Sequence, residues 1–328
     1  MGVCPGFDLQ TDSRECRDGV PGHESIAADR AKAHRATTVH HTEDDDRVKS
    51  YPRISIVTIS YNQAEFLEQT MGSVLGQNYP NLEYIVIDGG SKDCSVEIIR
   101  RNADKLAYWV SEPDRGPADA INKGFAHATG EILGWINSSD VHYPWTLHTV
   151  AEVFEEIKEA RWVTGVASHL DAGMGPKGIG LGVMSKYDFL ARQATWLQQE
   201  STFWRKDLWD EAGGYLDANV KHMFEYGLWL RFALLAPLYQ VNTILAGFRV
   251  HGERIIPSSA DVQRQEQLYR EYCSQFGFMD ILRSKIVKHT RGVEGSVLRG
   301  ILHRMGLMKW YEKPRIVRDF DHQRWLVK

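Results

Sequence analysis

The chain has 328 residues, 25% of them charged, with a formal net charge of −4. That balance excludes a general nucleic-acid binder, and the length allows one large domain or two modest ones with a sizeable core. Four cysteines (Cys4, Cys16, Cys94, Cys273) form no CxxC pair, which argues against a zinc or dithiol site; with no N-terminal apolar run to act as a signal peptide, a cytoplasmic protein is expected.

Residues 1–50 are poor in large apolar side chains and include the charge run "HHTEDDDR". Such a stretch buries too little surface to offset its ordering entropy, so a disordered arm is expected. Order is expected from "RISIVTISYN", a β-branched run suited to a strand covered on both faces. "AEFLEQTMGSVLGQ" comes next with Phe66, Leu67, Thr70, Val74 and Leu75 at helical spacing. "LEYIVID" is a second strand, "SVEIIRR" a helix start and "LAYWV" a third strand. "PADAINKGFAHATG" is a helix ended by Gly130, and "EILGWIN" a fourth strand. "YPWTLHTVAEVFEEI" is a helix with Pro144 in its first turn. The alternation predicts an α/β fold.

Beyond Arg161 the pattern loosens. "WVTGVAS" reads as one strand and the glycine-rich "DAGMGPKGIGLG" as a loop. "EYGLWLRFALLA" is a helix, "LYQVN" and "GFRVH" are short strands, and residues 259–276 form a polar helix. From Leu282 to Lys328 there are twelve Lys and Arg against four Asp and Glu, a basic tail on an acidic body. Its segment "SVLRGILHRMGLMKWYEK" sets Leu298, Ile301, Leu302, Met305 and Met308 on one helical face. That face either docks on the body or lies on an anionic membrane.

In open α/β sheets ligands bind beyond the carboxyl ends of the strands. After the four strands stand Ser60, Tyr61 and Asn62; then Asp88, Gly89, Gly90 and Ser91; then Glu112, Asp114, Arg115 and Gly116; then Asn137, Ser138, Ser139 and Asp140. Four polar or acidic strand ends on one edge favour a ligand site. No GxGxxG stands after the first strand and no GxxxxGK[ST] occurs anywhere, which argues against a dinucleotide or P-loop fold. The acids suggest that a divalent cation, Mn²⁺ or Mg²⁺, handles phosphates instead.

The motifs "ISIVTISYN", "IVIDGGSKD", "SEPDRGPADAINKGFAHATGEILGWINSSD", "STFWRKDLWDEAGGYLD", "FEYGLWLRFA" and "FRVHG" resemble those of family 2 glycosyltransferases. The resemblance implies a GT-A fold, Rossmann-like, with an open mixed sheet flanked by helices. Residues 51–255 would form it, with a donor half over 51–145 and an acceptor half over 146–255. A basic helical extension would cover 256–328. It implies an inverting transfer from a nucleotide diphosphate sugar to a glycan or lipid-linked acceptor, with no nucleic-acid partner. Glu225 falls at the general-base position and Asp140 at the metal site, with His251 near metal or diphosphate. Ser60, Tyr61, Asn62, Asp88, Ser91, Arg115, Asp119, Lys123 and Ser138 fall on the donor side. Asp88 can alternatively cap the next helix, and Arg115, Asp119 and Lys123 can alternatively form a surface ion-pair row. Trp196, Gln199 and Trp204 are candidates for the acceptor side, with core packing the alternative for tryptophan. Ser139 stands where the family usually has a second acid, and it brings a hydroxyl without charge. Two readings compete with this one: a sugar-phosphate nucleotidyltransferase and a catalytically silent sugar-binding module.

Overall fold

A computed structural model describes residues 51–180, 184–191, 197–252, 258–290, 293–306, 308, 310, 311 and 313–328. The expected arm over 1–50 and the acceptor candidate Trp196 lie outside the described residues. Residues 51–328 form one compact unit.

The first half has the expected alternation. β1 (Ile54–Ser60), α1 (Ala64–Leu75), β2 (Leu82–Asp88), α2 (Ser95–Arg101), β3 (Tyr108–Ser111), α3 (Pro117–Ala126) and β4 (Ile132–Asn137) succeed one another. β1 pairs in parallel with both β2 and β4, and β2 with β3. Each crossover helix covers a face, so the strands are apolar on both sides. Successive residues point to opposite faces. Accordingly Ile54, Ile56, Tyr84 and Val86 join one core cluster, and Val57, Ile85 and Ile87 the other. α3 crosses β1 so closely that a Cβ on Gly124 would collide with both methyls of Val57.

β5 (Val141–His142), α4 (Thr146–Glu156), β6 (Trp162–Thr164), β7 (Ala167–Leu170), β8 (Pro176–Gly180), α5 (Lys186–Leu190), β9 (Thr202–Arg205), α6 (Lys206–Glu211), α7 (Glu225–Leu235), β10 (Leu238–Val241) and β11 (Ala246–Arg249) complete the body. The tail holds α8 (Ser259–Cys273), α9 (Phe278–His289), α10 (Val293–Arg304), β12 (Arg315–Asp319) and β13 (Arg324–Val327). Nine strands form the main sheet in the order β13-β12-β10-β6-β9-β4-β1-β2-β3, and β5-β11-β7-β8 form a second sheet. β9 runs antiparallel to both β4 and β6, which makes the main sheet mixed.

Several local expectations are corrected. "WVTGVAS" breaks at Gly165, where a Cβ would press on Leu245, and its two halves enter different sheets. The glycine-rich stretch is not all loop, since Pro176–Gly180 pairs with β7. α3 stops at Ala126, and Gly130 is needed instead for close approach: a Cβ there would stand 2.7 Å from Ser55 N and 2.8 Å from Arg53 O. Pro144 precedes α4 instead of entering its first turn. The tail is helical through α10 and then returns as a hairpin, with β12 pairing in parallel with β10. Its expected apolar face is divided. Met308 is buried against Tyr187, Ala191, Val287 and Tyr311, with Leu302 partly buried beside them. Leu298, Ile301 and Met305 face solvent.

Candidate active site

The parallel register sets Ser60 beside Asp88, Asp88 beside Ser111, and Ile59 beside Asn137. The carboxyl ends of β1 to β4 thus form one edge. After β1 the chain turns at Asn62, which takes a left-handed φ of 52°, a conformation Asn tolerates better than most residues. Its N–H donates to Ser91 Oγ and its Oδ1 accepts from Lys92 N–H, each at 2.8 Å. Ser60 is buried, with an Oγ that has no partner among the described residues. The Tyr61 ring is left 62% exposed.

Asp88 is fully buried. Its Oδ2 accepts from Gly90 N–H (3.1 Å), Ser91 N–H (2.9 Å) and Ser111 Oγ (2.6 Å), and its Oδ1 from Ser91 Oγ (2.5 Å). Four donors from its own surroundings occupy the carboxylate. Asp88 and Ser91 therefore organise the loop after β2. Beyond β3, Arg115 Nη2 lies 2.8 Å from Asp119 Oδ1, and Lys123 Nζ lies 2.8 Å from Glu112 Oε1 and 3.9 Å from Asp119 Oδ2. The Arg115 guanidinium holds the Asp119 carboxyl below its usual range. These three residues form the ion-pair row.

After β4 the turn Asn137–Asp140 is pinned to α1, because Thr70 Oγ1 donates to the carbonyls of Ser138 (2.9 Å) and Asp140 (2.7 Å). Ser138 is buried in that turn. Asp140 has no exposed surface. Its Oδ1 accepts the Arg249 N–H at 2.9 Å, and its Oδ2 is buried with no partner among the described residues. Burial pushes its carboxyl up to about 7.

Two further acids share this edge. Glu200 sits in a short 3₁₀ turn, Gln199–Ser201, and its buried Oε1 also has no partner among the described residues. Burial first, and then the charge of Asp140, raise its carboxyl well above the ordinary range. Glu225 opens α7; burial raises its carboxyl too, and its charge adds to the strain on Glu200. His142 backs the group with its Nε2 3.1 Å from the Glu200 carbonyl, and burial lowers it to about 4, so it is neutral.

Glu200 precedes a strand, so the rule that ligands gather at carboxyl ends does not find it. β9 is antiparallel to β4, and its beginning, not its end, meets the shared edge. The signal available was the acid in "QQESTFWR", directly before an apolar strand. Gln199 beside it is buried with both amide atoms unpartnered among the described residues. Trp204 is corrected: it has no exposed surface and packs edge-on against Trp135, Trp229 and Phe232 in the core.

His251 lies just beyond β11 and over Phe66, ring centroids 4.6 Å apart. Arg249, two residues earlier, covers the same ring and reaches Gln69 Oε1 at 2.5 Å. Among the described residues no three His, Cys, Asp or Glu side chains are grouped closely enough to hold a metal. The orphan oxygens of Asp140 and Glu200 still suit a hard cation that takes one or two carboxylates and completes its shell with phosphate and water.

The sequence model described as "Glycosyl transferase family 2" matches residues 55–172. An uncharacterized glycosyltransferase of Mycobacterium tuberculosis is 32% identical over 235 residues, covering 68% of this chain and 86% of that protein. The chain belongs to glycosyl transferase family 2 and is a glycosyltransferase. Among solved structures, S. aureus TarS superposes with a TM-score of 0.59 at 15% identity, over 73% of this chain and 43% of TarS. TarS 1–349 in complex with UDP-GlcNAc gives 0.58 at 14% identity, over 72% and 70% of the two chains. The fold is that of the GT-A glycosyltransferases.

Proposed function

We propose that the protein is an inverting glycosyltransferase that moves a sugar from a nucleotide diphosphate sugar to a glycan or lipid-linked acceptor, with Mn²⁺ or Mg²⁺ present. The observation that carries this reading is the convergence of Asp140, Glu200 and Glu225 at the carboxyl edge of the sheet. Glu225 takes the proton of the acceptor hydroxyl as that oxygen attacks the anomeric carbon. The bond from that carbon to the diphosphate breaks, the nucleoside diphosphate leaves, and one displacement inverts the centre. A carboxylate raised above its ordinary range by burial is a stronger base, which suits this role. Asp140 and Glu200 would hold the cation, which when bound neutralises charge on the leaving diphosphate. The TarS complex with UDP-GlcNAc supports a nucleotide-sugar donor. A silent binding module would leave the two buried acids Asp140 and Glu200, with Glu225 beside them, without a purpose.

Glu225→Gln should keep donor binding and lower the transfer rate by roughly 10²–10⁴, since the amide cannot accept a proton. Undiminished transfer removes Glu225 from the mechanism. Asp140→Ala should abolish metal-dependent UDP binding; unchanged binding with Mn²⁺ refutes the metal assignment.

The acceptor side of the reading places the enzyme on an anionic membrane surface. Among the described residues no helix is long and apolar enough to cross a membrane. α9 exposes Phe278, Met279, Ile281 and Leu282, α10 exposes Val297, Leu298 and Ile301, and the turn after α10 exposes Met305. Lys285, Lys288, His289, His303 and Arg304 stand exposed on the same helices. Apolar side chains flanked by cations match a lipid boundary with anionic headgroups. Co-sedimentation should be stronger with anionic than neutral vesicles and weaken with salt; equal pelleting with both refutes it.

A further inference from the structure

α6 ends at Glu211 and α7 begins at Glu225, and no helix or strand lies between them. One face of α8 holds this segment. Asp261 Oδ1 accepts the Lys221 N–H at 2.8 Å, and the His222 N–H also donates to that carboxylate. Arg264 Nε lies 2.8 Å from Asp217 Oδ2, and Gln265 Nε2 donates to the His222 carbonyl at 3.2 Å. Leu268 continues the face onto α7 itself, since a Cβ on Gly227 would stand 3.1 Å from Leu268 Cδ1. Positions 261, 264, 265 and 268 fall on one side of a helix. The Asp261 side chain is buried. The Ser258 hydroxyl, and then the Lys221 N–H, hold its carboxyl down at about 2, so it stays charged. Directly after the two held residues, Met223 takes a φ of 56°. Left-handed backbone is rare for a side chain with no polar group to bond it locally. It persists only where the surroundings over-determine it. The Met223 carbonyl then accepts the Tyr226 N–H at 3.1 Å as α7 starts.

We propose that Asp261 and Gln265 are positioning residues for Glu225: they lock Met223 in its turn and so fix where the start of α7 presents the general base. This rests on the reading of Glu225 as that base. Neither residue touches the reacting atoms. Both act through the backbone groups of Lys221 and His222, so the polar helix of the C-terminal extension becomes part of the catalytic apparatus. Without the hold, Met223 relaxes to an ordinary backbone conformation and Glu225 moves with it. A displacement of about 1 Å in a reacting group costs about 10²-fold in rate.

Asp261 also caps α8, and Ser258→Ala separates the two roles. Ser258 Oγ accepts the Asp261 N–H at 3.1 Å and donates to Asp261 Oδ2 at 2.7 Å. Its loss weakens the helix end, while the Ser258 N–H, 3.1 Å from the same oxygen, still orients the carboxylate towards Lys221. The first measurement needs no substrate: thermal melts of the full chain at neutral pH, with and without Glu225→Gln. Burial raises the Glu225 carboxyl, so Gln should raise the melting temperature of the wild type. That rise should persist in the Ser258→Ala background. It should shrink by about half or more with Asp261→Ala or Gln265→Ala, where Glu225 can swing to water. An equal rise in every background overturns the proposal, and no rise in any overturns it together with the burial of Glu225. The second measurement is hydrolysis of UDP-GlcNAc by the full chain with MnCl₂. Asp261→Ala and Gln265→Ala should each lower kcat about 10–100-fold with KM unchanged. Adding Met223→Asn to Asp261→Ala should recover much of that loss, because Asn tolerates left-handed backbone. Turnover lost in Glu225→Gln but kept in both α8 variants overturns the positioning alone. Turnover kept in Glu225→Gln overturns the base reading with it.

Discussion

Replacing Asp88 with Asn tests whether this buried acid organises a loop or touches a ligand. The substitution keeps the shape and removes the charge. Four donors converge on the carboxylate: the N–H groups of Gly90 and Ser91, and the hydroxyls of Ser91 and Ser111. If the amide oxygen takes the Oδ2 place, three charge-assisted bonds become neutral ones, each weaker by about 1 kcal/mol. The amide nitrogen then faces the Ser91 hydroxyl, which already accepts from Asn62 N–H and loses the acceptor for its own proton. Together these cost about 2–4 kcal/mol. For a unit of this size that lowers the melting temperature by roughly 5–12 °C. Thermal unfolding tracked by circular dichroism, without nucleotide, reads the effect directly. A variant that melts within 1 °C of wild type but loses nucleotide binding would refute the structural role and return Asp88 to the ligand.

Glu225→Gln should raise stability at neutral pH while removing activity. Burial lifts the Glu225 carboxyl in the folded state, so the folded protein binds more protons than the unfolded one above the ordinary glutamate pKa. The wild type therefore loses stability as pH rises through that window, and the gain from Gln should vanish below about pH 4 in parallel melts. A constant gain at all pH values would contradict the burial account. In the wild type, the acid limb of the transfer rate should lie above the usual carboxylate range. Gly124→Ala should destabilise by about 1–3 kcal/mol in urea titration despite better helix propensity, because the methyl meets Val57. Trp204→Ala should cost about 3–5 kcal/mol; a stable variant with altered acceptor use would restore Trp204 to the acceptor side.

The donor half of the fold was legible because parallel strands announce themselves. They are apolar throughout, they are separated by helices, and they deliver all their carboxyl ends to one edge. The same logic hid Glu200, which arrives on a strand running the other way. Asp88 shows a second limit. A carboxylate at a strand end looks the same in sequence whether its lone pairs face a ligand or the N–H groups of Gly90 and Ser91. β8 was hidden by glycines that weaken strand propensity, yet pairing with β7 overrides it. β12 and β13 were hidden by charge: only β13 is the edge strand, and Arg315, Arg318 and Asp319 of β12 stand at positions that are not fully buried.

The pairing of β12 with β10 has a consequence for biosynthesis. Leu238–Val241 is translated long before Arg315–Asp319, the strand that completes its outer side. At about 5–20 residues per second the interval lasts several seconds. During that time a buried-type apolar strand waits with an open edge, a template for mispairing with another nascent chain. The intervening α8, α9 and α10 emerge first; α8 is polar, but α9 and α10 carry the exposed apolar side chains described above and add to that hazard. Emergence of β12 and β13, not the appearance of Asp140, Glu200 and Glu225, is then the moment at which the sheet can close. Stalling between α10 and β12 should leave a protein that already holds Asp140, Glu200 and Glu225 but aggregates through β10.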